Sequence, residues 1–166
     1  MLKLLVGALL FVCCGYVGYG ISAHYRKRCN LLVSALGYLD HLENGVSYLQ
    51  NTLGELTLSY CQGKKDEFCK ILKKYSGLLE GGYVMKEDCI AAAKSRYLTA
   101  YEQSLVAEML FSLGKSDLDT QLSDIKKYRA AFSPIEDAAK SNQKKYGTLA
   151  FKLGILSGLA AMLVVA

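Results

Sequence analysis

Twenty consecutive uncharged residues, Leu4 to Ala23, constrain this chain more than any other feature. As an α-helix the run is about 30 Å long, the thickness of a bilayer's hydrocarbon core. A second apolar run, from Tyr146 to Ala166, has Lys152 as its only charge. Its strictly uncharged part, Leu153 to Ala166, is 14 residues and too short to span alone. Gly147 to Phe151 bring it near bilayer length if Lys152 snorkels to the headgroups. A cleavable signal peptide would share the basic start and apolar stretch. No Ala-x-Ala site follows Val12, however, and the apolar run continues to Ala23. A lipidated Cys13 or Cys14 would have the bulky Val12 as neighbour, which disfavours such processing. The expectation is a transmembrane helix at 1–24 and another at 147–166.

Flanking charges give an orientation. Arg26, Lys27 and Arg28 follow the first run, and Lys140, Lys144 and Lys145 precede the second; only Lys3 lies at the opposite ends. Positive flanks stay in the cytosol, so residues 25–146 should be cytosolic and both termini outside.

Those middle residues carry 18 basic and 15 acidic side chains, the mixture expected of a solvated surface. Apolar residues recur there every three or four positions. Leu32, Leu36, Leu39, Leu42, Val46, Leu49 and Leu53 predict helix from about Asn30 to Tyr60, and Phe68, Ile71, Leu72, Tyr75, Leu78 and Leu79 predict a shorter one. The latter should stop at Gly81-Gly82. Helices over Met85 to about Tyr97 and Thr99 to Leu113 follow, the second closed by Gly114. A long helix from Asp117 towards the second span is expected to kink or break near Pro134, because Ser133-Pro134-Ile135-Glu136 reads as a capping box. No alternating strand pattern is present. The expected fold class is all-α: a helical bundle flanked by an N-terminal and a C-terminal transmembrane helix.

Chemistry-bearing motifs are absent from the sequence. Cys29, Cys61, Cys69 and Cys89 lack the paired spacing of zinc ligands, and in the cytosol they should be reduced, small and buried. Were the bundle outside, up to two disulfides would become plausible. His24 and His41 have no nucleophile or carboxylate arranged nearby. There is no phosphate-binding glycine loop, no His-Glu-x-x-His and no Gly-x-Ser-x-Gly. Asp66-Glu67 and Glu87-Asp88 read as first-turn carboxylates favoured by the helix dipole. A net charge of +5 is too dilute for a nucleic-acid partner. No catalytic, cofactor or metal site is expected. Gly154 and Gly158 form a Gly-x-x-x-Gly pair suited to close packing of membrane helices.

Several local patterns carry a resemblance. They are Met1-Leu2-Lys3-Leu4 running into an apolar helix, and Leu42-Glu43, Val46, Tyr48, Leu53 and Glu55. Leu113-Gly114-Lys115-Ser116-Asp117 with Gln121 is a third, and Tyr146, Leu153-Gly154 and Gly158 a fourth. Together they make the chain resemble the stage III sporulation protein AB family. Asn51-Thr52-Leu53 stands where the family pattern has Thr-Pro-Leu, so the proline is missing.

The resemblance implies a non-enzymatic platform subunit of a channel or secretion-like complex between mother cell and forespore, required for endospore formation. It implies a bundle like that of the platform proteins of type II secretion and type IV pilus systems. The partners implied are membrane lipids, a cytosolic secretion-type ATPase and other membrane subunits, with a homo-oligomer left open. A membrane-tethered helical adaptor outside such a complex is the alternative. Leu113, Gly114, Asp117 and Gln121 are the candidate partner contact. Helix capping by Ser116 or Asp117 explains the same residue types.

Overall fold

The computed structural model describes residues 2–48, 52–82, 84–115 and 118–165, which contain helices and no strand. In chain order they are α1 (Leu2–Tyr48), α2 (Leu53–Cys61), α3 (Glu67–Glu80), α4 (Lys86–Ala93), α5 (Ala100–Lys115), α6 (Leu118–Asn142), a π-helical turn (Gln143–Gly147) and α7 (Thr148–Val165). They group into two compact units. Asn30–Glu136 makes one, and Met1–Cys29 with Asp137–Ala166 makes the other.

The bundle unit, Asn30–Glu136, is organised by the three-to-four spacing of its apolar residues. Leu31, Leu32, Ala35, Tyr38, Leu39 and Leu42 of α1 are all buried, as are Phe68, Ile71, Leu72 and Tyr75 of α3. Val106, Met109 and Leu110 of α5 and Ile125, Tyr128 and Phe132 of α6 complete the interior. Burying a large apolar side chain contributes about 1.5–3 kcal/mol, so these stripes dominate the stability of the unit.

Four sequence expectations change. The stretch from Asn30 to Tyr60 is two helices, because Thr52 ends any continuation. Its hydroxyl accepts from the Glu55 amide, and the Glu55 carboxylate accepts from the Thr52 amide, a reciprocal cap that fixes the start of α2. The helix after Met85 ends at Ala93 rather than near Tyr97. Lys94 is extended there, and the Gln103 side-chain amide donates to the carbonyls of Ser95 and Leu98 at 2.8 and 3.0 Å, holding a turn instead. Thr99 and Glu102 then repeat the reciprocal cap at the start of α5.

The third change concerns the break and new helix start expected as one outcome near Pro134. The proline lies inside α6, and Ser133 to Glu136 form no new helix start. Ile125, Tyr128, Phe132 and Glu136 are buried at spacings of three and four, so one packed face continues past the proline. Fourth, the helix widens into a π-turn at Gln143–Gly147, which the sequence reading did not anticipate. The expected stop of α3 agrees with the structure: Gly81 caps it, and Gly82 takes a φ of 75°, open to glycine without strain.

Candidate functional site

The candidate contact at the α5–α6 corner resolves into structural parts. Leu113 is 1% exposed, so its side chain belongs to the core. Gln121 donates its side-chain amide to the Leu113 carbonyl at 3.1 Å, satisfying an acceptor that the end of α5 would leave open. Gly114 lies in the last turn of α5. Ser112 donates to the Asp124 carboxylate, adding a second tie across the corner. Asp117, together with Ser116, lies outside the described residues.

Buried tyrosines pin the bundle from inside. The Tyr38 and Thr57 hydroxyls pair at 2.8 Å, Tyr60 donates to the Ser34 carbonyl at 2.8 Å, and Tyr75 donates to the Leu110 carbonyl at 2.7 Å. Each bond satisfies a polar group that would otherwise be costly inside an apolar core. Burial raises the Tyr38 and Tyr75 phenols well above their ordinary range. Burial also pushes the Cys61 thiol up to about 12, reinforced by the neighbouring Cys69.

Cys29, Cys61, Cys69 and Cys89 are all buried, and none of the four forms a disulfide. His41 pairs with Ser59 at 2.9 Å. Among the described residues no group of His, Cys, Asp or Glu is arranged to hold a metal.

Two charged features of the bundle escaped sequence reasoning. Arg129 of α6 bridges Asp40 and Glu43 of α1, the latter at 2.6 Å. Burial pulls its guanidinium down, but the bonds and charges of the two carboxylates outweigh that and raise it. Lys64, Lys65, Lys70 and Lys73 line a cavity of about 250 Å³ with Asp66 and Cys69. The cue was visible in the lysine spacing, two in the turn before α3 and two one helical turn apart on it.

In the other unit, α1 and α7 meet at glycines. A methyl group on Gly154 would sit 3.0 Å from the Cys14 carbonyl oxygen and 3.0 Å from the Gly18 Cα; one on Gly18 would sit 2.8 Å from the Ala150 carbonyl oxygen. One on Gly158 would press on Phe11 at 2.9 Å. Backbone against backbone at these distances leaves no space for a side chain, the contact small residues permit between apolar helices. Farther along, the Tyr25 and Tyr146 rings stack with centroids 6.2 Å apart. Ala139 and Gly147 are both buried, and the π-turn at Gln143–Gly147 lies between them.

These elements define an all-α protein with a tyrosine-pinned bundle and two helices long and apolar enough to cross a membrane, which points to membrane association. The chain belongs to the stage III sporulation protein AB family, whose model matches residues 3–166, so the resemblance read from the local motifs holds across the chain. That membership gives it a role in sporulation. No curated protein and no solved structure matches it.

Proposed function

We propose that the chain is a non-enzymatic platform subunit of a sporulation-specific channel or secretion-like complex between mother cell and forespore. Its two apolar helices cross the membrane with both termini outside. The bundle lies in the cytosol and serves as scaffolding for a secretion-type ATPase and for other membrane subunits. The observation that carries this reading is the glycine-to-glycine packing of α1 on α7 with Arg26, Lys27, Arg28, Lys140, Lys144 and Lys145 gathered beyond one end of the pair. Such a pair suits an anchor, and cations at one end favour retention of that end in the cytosol. The α5–α6 corner around Asp117 is the candidate docking point.

Detergent extraction of the tagged chain from sporulating cells tests the proposal. Co-purification of a secretion-type ATPase and further membrane proteins is expected; recovery with one unrelated partner would favour the tethered adaptor instead. At the corner, Asp117→Asn preserves a helix cap but removes the charge. Loss of the ATPase with this variant, in a chain that still folds, would assign the corner to docking rather than capping.

A further inference from the structure

Charge is spread unevenly over the bundle unit. Asn30–Glu136 carries twelve basic and fourteen acidic residues, a net of −2. Within it, Lys64 to Lys74 hold five lysines against Asp66 and Glu67, a net of +3. The rest of the unit is therefore at −5. Four of those lysines, Lys64, Lys65, Lys70 and Lys73, line one cavity of about 250 Å³, so the positive island is concave.

Backbone geometry explains how residues of a turn and of a helix share that cavity. Gln62 has φ −62° and ψ 125°, Gly63 has φ 73°, and the Lys64 amide donates to the Cys61 carbonyl at 3.3 Å. These values describe a type II turn, whose third position favours glycine. The turn leads from α2 into α3 and places Lys64 and Lys65 just ahead of the helix. Lys70 and Lys73 are three residues apart on α3 and share one face. Cys69, 1% exposed, lines the cavity beside them. All four lysines are exposed.

Acidic neighbours answer only part of this charge. Lys70 pairs with Glu67 at 2.9 Å. The Asp66 carboxylate, also in the lining, accepts from the Ser34 hydroxyl at 3.1 Å. The Lys64 ammonium rests 3.4 Å from the centre of the Tyr60 ring. Lys65 and Lys73 have no ion pair among the described residues. Like charges gathered around one concavity repel each other, and a bound anion relieves that repulsion.

We propose that this cavity binds a small anion bearing a diphosphate group, held by Lys64, Lys65, Lys70 and Lys73. Ammonium groups act as point charges and lack the planar fork that favours a carboxylate; they suit phosphate oxygens that point in several directions. Pockets for drug-sized ligands begin at about 300 Å³, so this one fits a compact anion. A protein partner would instead need a broad contact of about 800 Å². The inference goes beyond the platform reading and is independent of it, since it concerns the bundle unit alone.

Isothermal titration of pyrophosphate into the full chain, in nonionic detergent and phosphate-free buffer, tests the site. Saturable binding is expected. Each exposed ammonium contributes about five-fold, so K65Q/K73Q should weaken binding about 25-fold. K65R/K73R keeps both charges and should stay within about five-fold of the parent. K94Q/K126Q removes the same charge elsewhere on the bundle and should stay within about two-fold. In the parent chain, pyrophosphate should also slow acetylation of Lys65 and Lys73, mapped by mass spectrometry, and leave Lys94 and Lys126 unchanged.

A parent chain without saturable binding would overturn the proposal. Equal weakening in K65Q/K73Q and K94Q/K126Q, or equal protection of all four lysines, would reveal a diffuse field and overturn the site. Tighter binding of hexaglutamate than of pyrophosphate would assign the lysines to an acidic protein segment and overturn the diphosphate.

Discussion

Replacing Pro134 with alanine distinguishes a continuous α6 from a helix that begins at Ser133. In the structure Pro134 is inside α6, so it cannot donate to the Ala130 carbonyl and its ring crowds that turn. A proline in a helix interior is about 3 kcal/mol less favourable than alanine. Alanine also frees the unfolded chain, which returns about 0.4–1 kcal/mol. The net expected gain is about 2 kcal/mol. For a unit of about 100 residues the unfolding entropy converts this into a rise of about 10 °C in Tm.

Ser133→Ala should then be neutral or slightly stabilising, since an exposed serine in mid-helix does less than alanine. A true N-cap at Ser133 with proline at the first helical position would give the opposite pattern. Pro134→Ala would be neutral or worse, and Ser133→Ala would cost about 1 kcal/mol. Thermal unfolding of both variants in one detergent, followed by circular dichroism, reads the difference. A fall in Tm with Ser133→Ala, without a rise for Pro134→Ala, would refute a continuous packed face past the proline.

Ser22→Cys with Gly147→Cys should cross-link under mild oxidation, because the Gly147 Cβ position lies 3.8 Å from the Ser22 hydroxyl oxygen. Adding Gly154→Leu should suppress the cross-link by forcing α1 and α7 apart, and undiminished cross-linking would contradict the glycine contact. Phe132→Ala should remove about 3–5 kcal/mol by opening a cavity under a fully buried ring, measured by chemical unfolding.

Cys61 and Tyr60 are both pushed up to about 12, chiefly by burial, so the fold favours their neutral forms. Their stabilisation is complete below the ordinary thiol range near pH 9 and is lost as pH rises through about 12. A Tm series should fall across that window, and less so for Cys61→Ala. Arg129→Gln should cost about 1 kcal/mol, shrinking in high salt, because its two carboxylate partners are partly exposed.

The ends of this chain were legible because an uncharged run is a local property that no tertiary contact is needed to interpret. The middle was legible as helix for the same reason. Its punctuation was harder to read, because three Ser/Thr-x-x-Glu patterns occur and their outcomes differ. Thr52–Glu55 and Thr99–Glu102 form caps, whereas Ser133–Glu136 does not. The third has the stronger local signature, with proline in second place. It fails because Phe132 and Glu136 continue a buried face that only the neighbouring helices define.

The π-turn has no composition of its own. At the candidate corner, spacing brought Leu113 and Gln121 together correctly, but it could not show that the glutamine bonds to the leucine carbonyl. The cations near the spans were plain in the sequence. The folding back of Arg26 onto Tyr19 and the Tyr25–Tyr146 stack were not, since both depend on side-chain direction.

Cysteine accessibility in living cells tests the placement of the bundle most directly. Lys94, exposed on the bundle, is replaced by cysteine, and the parent chain with its native thiols serves as the blank. Intact cells receive a membrane-impermeant maleimide before and after permeabilisation. The expected result is labelling of Lys94→Cys only after permeabilisation. Labelling in intact cells, at the level reached after permeabilisation, would put the bundle outside and contradict the proposed cytosolic platform.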